Sequence, residues 1–169
     1  MIKLNKLKKL FKVNKIDGYI VPKNDEFFGE YIPDFKDNLK FISNFSGSYG
    51  FALVLKKKNY LFVDGRYTLQ AKIQSGKNFK IITMPNKLPH NILKGKNLSI
   101  GFDPKLHTQL MLARLFKNSS CNLIPLNENL ISNIWKNKII QKNNKFYKLN
   151  DKDSGRNSKN KIKKILKIL

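Results

Sequence analysis

Apolar residues near the start of the chain recur with the spacing of an amphipathic helix. Leu4, Leu7, Leu10 and Phe11 fall on one helical face, while lysines fill the positions between them, so a helix is predicted over residues 3–14. Residues 23–36 are expected to form a loop with one turn of helix at 26–30. Residues 40–45 are apolar enough to pack against a core.

Short apolar runs bounded by Gly, Pro, Asn and Lys predict strands along the rest of the chain. These strands cover residues 19–21, 51–55, 60–63, 79–83, 97–102 and 122–125. The polar run 56–59 predicts a hairpin turn between the second and third strands. Helical patterns between the later strands cover residues 67–74, 88–93 and 106–116. On the last of these helices the residues expected to face the core are Leu106, Leu110, Ala113 and Leu115 or Phe116.

Alternation of strands with helices of about ten residues is typical of an α/β domain. The hairpin at 51–63 places two strands antiparallel, so the expected fold is a mixed β-sheet flanked by helices. Trp135, the only tryptophan, is expected to pack the end of this domain onto the sheet.

The C-terminal part of the chain differs from the rest in composition. Residues 136–160 are polar and rich in Lys and Asn, which predicts a linker. Residues 161–169 then predict a helix with one apolar face, formed by Ile162, Ile165, Leu166 and Leu169. Such a short helix is not stable alone, so it is expected to be the first helix of a second domain that is missing.

The 169 residues carry a net charge of +23, which invites a nucleic-acid-binding interpretation. The charge is spread along the whole chain, and it accompanies abundant Asn and Ile, as in proteins from AT-rich genomes. Solvated lysine is therefore favoured over a functional basic surface. A free-standing basic module that binds nucleic acid stays as an alternative, and weak, salt-sensitive binding to polyanions is expected.

The single cysteine and the lack of long apolar runs in the sequence indicate a cytoplasmic location. Cys121 allows no intramolecular disulfide and is expected to be a buried structural thiol, which fits a reducing cytoplasm. The basic N-terminus lacks the continuous apolar segment of a secretory signal. No apolar stretch approaches the roughly 18 residues of a membrane span.

A search for catalytic or metal-binding motifs assigns no catalytic residue and no metal ligand. His90 and His107 lie 17 positions apart with no carboxylate or cysteine at ligand spacing, so both are expected to be ordinary surface or loop histidines. No nucleophile elbow, P-loop or dinucleotide-binding motif is present.

Arg66 is the residue with the clearest candidate role. Only three of the 34 basic residues are arginine, and an Arg where Lys is usual indicates a need for the planar guanidinium. It follows a strand that ends at Asp64-Gly65. Alternatively, Asp64 caps the next helix and Arg66 is a surface side chain.

An acidic loop at residues 25–34 carries Asp25, Glu26, Glu30 and Asp34. It is expected either to be solvated or to pair with Arg66 or with a partner surface.

Six motifs in order resemble one family. They are Tyr19–Pro22, Asp25 with Glu30–Pro33, Phe41–Ser48, Asp64–Ala71, Gly101–Pro104, and Leu123–Ile131 with Ile134–Trp135. Together they resemble the N-terminal domain of Xaa-Pro aminopeptidases of the creatinase/prolidase superfamily, most closely the three-domain cytosolic type. The resemblance covers roughly residues 3–149. Prolidases and creatinase-like amidinohydrolases stay as alternatives within the superfamily.

The resemblance implies a metallopeptidase that releases the N-terminal residue from peptides with proline second. In that family a C-terminal domain holds two divalent metals, usually manganese, on two Asp, one His and two Glu. It implies that residues 1–149 form the N-terminal domain and residues 150–169 a linker and the first helix of a truncated middle domain. The catalytic domain would then be absent, and the fragment alone would not be an enzyme.

The same resemblance implies a role for Arg66, a cellular location and a set of partners. The arginine of the Asp-Gly-Arg-Tyr motif would face the active site and position substrate. The full-length protein would be a cytoplasmic homodimer acting on proline-containing peptides, without a specific nucleic-acid or membrane partner. Two departures are visible: Lys136–Asn144 replaces a proline-rich stretch, and the acidic loop carries Phe27-Phe28.

Overall fold

A mixed β-sheet lies at the centre of the computed structural model, which describes residues 1–136 and 145–169. Among these residues the sheet has six strands in the order β4-β3-β2-β1-β5-β6. The strands are β1 Gly18–Pro22, β2 Gly50–Leu55, β3 Asn59–Val63, β4 Lys80–Thr83, β5 Ser99–Phe102 and β6 Asn122–Pro125. Strand β2 is antiparallel to β1 and β3, and the other neighbouring pairs are parallel. The predicted mixed α/β fold is confirmed.

Helices connect the strands and continue into the C-terminal part. They are α1 Ile2–Val13, α2 Asn38–Ser43, α3 Thr68–Ser75, α4 Pro89–Ile92, α5 Gln109–Leu115, α6 Leu130–Ile134, α7 Asp151–Ser154 and α8 Ser158–Leu166. Short 3₁₀ turns lie at Asp34–Lys36, Gly65–Tyr67 and Pro104–Leu106. In the part of the chain that the structure describes, no helix combines the length and apolar character that crossing a bilayer requires.

Both faces of the sheet are covered by apolar side chains. Strand residues alternate between the two faces because successive side chains of a strand point in opposite directions. One face contributes Ala52 and Val54 to a core with helices α1, α2, α3 and α6. The other contributes Phe51, Leu53 and Leu55 to a core with α4 and α5. Burial on both faces explains why the strands read as continuous apolar runs.

The helix at 106–116 begins later than predicted, and its buried face differs. The chain forms a 3₁₀ turn after Asp103, and Thr108 then caps α5 by accepting a hydrogen bond from the Met111 backbone N–H. This start sets the helical phase, so Leu112 faces the core. Leu110 is 81% exposed and Ala113 is also exposed, contrary to the prediction, whereas the inward placement of Leu106, Leu115 and Phe116 is confirmed.

Trp135 packs against the core that covers one face of the sheet, and its ring also stacks on Phe41 of α2 with centroids 4.4 Å apart. Two further expectations need correction. The predicted helical turn at 26–30 is not formed. Cys121 is half-buried rather than buried, and its thiol lies 3.5 Å from the carbonyl oxygen of Lys96.

The chain divides into two units, Met1–Ile139 and Ile140–Leu169. In the second, α7 is followed by Gly155 in the left-handed region, and α8 begins after Asn157, whose side chain caps it. The linker prediction was therefore wrong at 151–154 and 158–160; residues 137–144 of that stretch lie outside the described residues. The predicted terminal helix is present with earlier bounds. Leu169 lies beyond its end, and the residues expected on its apolar face are exposed: Ile162, Ile165, Leu166 and Leu169.

His107 lies in the loop between the 3₁₀ turn at Pro104–Leu106 and α5, which agrees with one of its two expected placements, but it is buried and is not a surface histidine. Only 7% of the residue is exposed, since its ring packs edge-on against Phe102. Nδ1 lies 2.9 Å from the carbonyl oxygen of Asp103, which accepts the hydrogen bond from that nitrogen. Nε2 is buried and has no hydrogen-bond partner among the described residues. Burial lowers the pKa of His107 below its ordinary value of 6.5.

Burial of His107 predicts a loss of stability in mild acid. Its pKa is lower in the folded chain than in the unfolded chain, so the unfolded chain takes up the proton first and the free energy of unfolding falls as pH drops below about 6.5. Urea unfolding of the wild type between pH 7.5 and 5 measures this slope. His107→Gln is expected to flatten it. An equal slope in both proteins would contradict the assignment.

Candidate functional site

The segment after strand β3 is shaped by Asp64. Residues Leu61–Val63 are fully buried, and Asp64 follows in an extended conformation. Its carboxylate accepts a hydrogen bond from the backbone N–H of Arg66 at 2.9 Å and thereby begins the 3₁₀ turn that leads into α3. The capping role considered for Asp64 is confirmed. The turn holds Arg66 at the end of the strand with its side chain 75% exposed.

The same carboxylate also holds the Arg66 side chain. Nε of Arg66 lies 3.3 and 3.2 Å from the two oxygens of Asp64, and Nη2 lies 2.7 Å from Oδ2. These hydrogen bonds lower the pKa of Asp64 and raise the pKa of Arg66, so the pair stays ionised around neutral pH. A guanidinium has five N–H donors. Two of them, on Nε and Nη2, face Asp64, and the other three do not.

The motif segment Phe41–Ser48 packs against Tyr67 and α3, next to the turn that carries Arg66. The ring of Phe45, fully buried, meets Tyr67 edge-to-face at 5.8 Å, and the hydroxyls of Ser48 and Tyr67 are 2.7 Å apart. Further hydrogen bonds join this segment to α3: Gln70 to Ser46, Gln74 to Ser46, Ser46 to Gln74, and Ser75 to Ser43. The structure therefore brings together two of the six motif segments, Phe41–Ser48 and Asp64–Ala71.

Two glycines of these motifs differ in how closely they are packed. A Cβ at Gly47 would lie 2.3 Å from the ring of Phe45, which is too close for any side chain. A Cβ at Gly65 would meet no atom within 4 Å. Gly47 is therefore required by packing, while Gly65 has space for a larger residue.

A cleft of about 660 Å³ opens at the carboxyl ends of β1, β3 and β4. Ligands of α/β proteins usually bind at this edge of the sheet. Asp64, the partner of Arg66, lines the cleft, as does Arg114 of α5. The remaining lining residues are mostly apolar: Pro22, Lys23, Asn24, Tyr49, Gly50, Phe51, Met84, Pro85, Leu88, Thr108, Leu110, Met111 and Leu115. Sequence reasoning missed this cleft because its walls come from separate elements.

The acidic loop does not pair with Arg66 in the structure. Glu26 pairs with Lys36, and Asp34 lies 2.9 Å from the ammonium of Lys40. Asp25 is buried and accepts a hydrogen bond from the backbone N–H of Phe27 at 3.1 Å. Glu30 is exposed, as expected for a solvated loop.

A buried ion pair near this loop was also missed by sequence reasoning. Lys23 follows β1 and pairs with Asp37, and their side chains are only 9% and 6% exposed. The partners are 14 positions apart, so only the tertiary fold brings them together. Within residues 1–136 and 145–169, His, Cys, Asp and Glu form no group of three or more able to hold a metal ion. These residues therefore do not fit a metal centre, and we assign no step to a metal here.

Comparison with known families identifies close relatives of this chain. Residues 3–133 match the family described as Creatinase/Prolidase N-terminal domain. A probable Xaa-Pro aminopeptidase P of Coprinopsis cinerea is 34% identical over 172 residues, covering 94% of this chain and 27% of the relative. One from Laccaria bicolor is 33% identical, covering 95% and 26%. The chain thus spans about a quarter of the length of these relatives.

Solved structures share the fold. The X-prolyl aminopeptidase of Caenorhabditis elegans, described as a cytosolic enzyme with a di-nuclear active site, superposes with a TM-score of 0.80 and 26% identity. The match covers 96% of this chain and 30% of that one. The N-terminal domain of the cytoplasmic peptidase PepQ from Mycobacterium tuberculosis has a TM-score of 0.61 at 20% identity, covering 79% of this chain and 98% of that one. The latter likeness concerns the fold alone.

The unequal packing of the two motif glycines predicts unequal effects of alanine. Gly47→Ala should lower the free energy of unfolding by about 1–3 kcal/mol, because the buried ring of Phe45 must move. Gly65→Ala, the matched control, should change it by less than about 0.5 kcal/mol. Urea unfolding followed by circular dichroism measures both. Equal effects of the two substitutions would show that the Gly47 contact is not a packing constraint.

Proposed function

This chain belongs to the creatinase/prolidase N-terminal domain family, and from that membership we propose that it is the non-catalytic N-terminal domain of a metal-dependent Xaa-Pro aminopeptidase. Such an enzyme releases the N-terminal residue from peptides with proline second. Support comes from the 34% identity with a probable Xaa-Pro aminopeptidase P over 94% of the chain. That similarity extends beyond residue 133, where the family match ends.

In this proposal, the domain positions substrate through Arg66. Asp64 holds one side of the guanidinium, and the exposed donors on the other side would bind a peptide carbonyl or carboxylate. Holding a substrate in the reactive orientation contributes to catalysis without any proton transfer by the holding group. Anchoring by Asp64 restricts the guanidinium before substrate arrives, which lowers the entropy lost on binding.

The remaining parts of the proposal concern the whole protein. Two divalent metals, manganese in our proposal, would supply a nucleophilic water from another domain. Residues 1–149 would form the N-terminal domain, and residues 150–169 a linker and the first helix of a middle domain. The full-length protein would be a cytoplasmic homodimer acting on proline-containing peptides.

The comparisons favour this function over the alternatives. The relatives that share 33–34% identity are named as Xaa-Pro aminopeptidases, which favours that activity over a prolidase or creatinase-like one. They give the nucleic-acid alternative no support. The net charge of +23 still predicts weak polyanion binding that disappears at moderate salt without sequence preference.

Arg66→Lys tests the positioning role in the native protein that carries this sequence. The substitution keeps the charge and loses the planar fork, so kcat/KM for a Xaa-Pro peptide should fall roughly 10-fold to 100-fold with unchanged folding. Arg156→Lys is the matched control, because Arg156 is also exposed and lies in the other unit. Unchanged kinetics in Arg66→Lys would return Arg66 to the role of a surface side chain.

The non-catalytic assignment is tested with the 169-residue chain itself. Purified chain incubated with manganese and a Xaa-Pro peptide should release no N-terminal amino acid, as followed by chromatography. Native protein isolated from its source cells should release it and should lose this activity on chelation. Turnover by the 169-residue chain, free of contaminating peptidases, would overturn the assignment.

A further inference from the structure

Of the two arginines of residues 1–136, Arg114 lines the cleft, and Arg66 is paired with Asp64, which lines it. Arg66 and Arg114 are the only arginines in that part of the sequence, where lysine supplies the other basic side chains. Arg114 lines the cleft from α5, and Asp64, which holds Arg66, lines it from the end of β3. Arginine differs from lysine in presenting a planar fork that matches a carboxylate. Its use at the wall of this cleft indicates a ligand with groups suited to that fork.

Within residues 1–136 and 145–169, Arg114 differs from Arg66 in having no anionic partner. Its side chain is exposed in the last turn of α5. Among the described residues no carboxylate lies within ion-pair distance of it. Asp64, the acid that lines the same cleft, is already engaged by Arg66. The guanidinium of Arg114 is therefore a cation at the cleft whose charge is left for a ligand.

The residues that line the cleft with Arg114 are mostly apolar. Phe51 is buried, while Tyr49 is 58% exposed and Leu110 is 81% exposed. Met84, which follows β4, also lines the cleft. A volume of about 660 Å³ is within the range of pockets that hold small ligands. An apolar wall beside a free guanidinium fits a ligand that joins an apolar side chain to a carboxylate.

We propose that Arg114 is a second substrate-binding residue, which binds the C-terminal carboxylate of a short peptide whose apolar side chain lies in the cleft. This inference rests on the proposed function, because peptides are the substrates of that function, and it names the end of the peptide that the domain recognises. Arg66 would then serve the part of the peptide nearer the reacting bond. Arg114 would select short peptides with a free carboxylate over longer or amidated ones.

The test is an NMR titration of the 169-residue chain with two probes, Ala-Pro-Leu with a free carboxylate and the same peptide as its C-terminal amide. Backbone amide shifts at Gly50 and Leu115, two residues of the cleft, report binding. The free acid should bind about tenfold or more tightly than the amide, as expected for a hydrogen-bonded charge pair. Arg114→Gln should lower the affinity for the acid to that for the amide and leave amide binding unchanged.

Two further variants keep the test specific. Arg114→Lys should retain part of the preference for the acid, because charge survives and the fork does not. Arg156→Gln, an exposed arginine of the other unit, should behave as wild type. Amide-shift dispersion confirms that each variant is folded.

Three results would overturn the proposal: equal affinity for acid and amide, retention of the preference in Arg114→Gln, or no binding of either peptide. Failure of the proposed function is seen separately, in the hydrolysis assay on native protein. If the native protein does not hydrolyse Xaa-Pro peptides but the chain still prefers the free acid through Arg114, the carboxylate site stands and the aminopeptidase assignment fails.

Discussion

The antiparallel insertion of β2 between β1 and β3 is the constraint on which the rest of the structure depends. Strand β2 is buried along its whole length and pairs with both neighbours. Because β2 runs the opposite way, β1 and β3 are parallel, and their carboxyl ends meet its start at one edge of the sheet. A Cβ at Gly50 would lie 2.6 Å from the carbonyl oxygen of Phe62, so this entry needs glycine. The cleft at that edge follows from the strand order.

Electrostatics at this edge are organised locally against a strongly basic background. The pair of Asp64 and Arg66 forms within one turn of chain, so its geometry depends mainly on where β3 ends. Ser46 and Gln74 hold the segment Phe41–Ser48 against α3, and Ser48 of that segment is hydrogen-bonded to Tyr67 of the turn. Most of the +23 charge comes from lysines, whose flexible ammonium groups are well hydrated. The fixed orientation of the Arg66 guanidinium, rather than the amount of charge, therefore distinguishes this edge from the remaining surface.

Local features of the chain could be predicted from sequence, whereas features made by distant contacts could not. The strands were visible as apolar runs, and the Asp64 cap was visible as a turn motif. The phase of α5 was missed because the Thr108 cap, which displaces Leu110 from the core, competes with an equally plausible earlier start. The burial of His107 and the placement of Arg114 and Asp64 on one cleft depend on packing between separate elements. Such contacts leave no periodic pattern in the sequence.

The two edge strands of the sheet, β4 and β6, disfavour strand pairing between copies of this chain. Both β4 and β6 are only four residues long; β4 starts with exposed Lys80, and β6 ends with Pro125, which has no N–H to donate. Short edges carrying lysine and proline are poor templates for strand addition. Intermolecular β-pairing, the first step toward amyloid-like stacking, is therefore disfavoured at these margins. Self-association would have to use helical or loop surfaces instead.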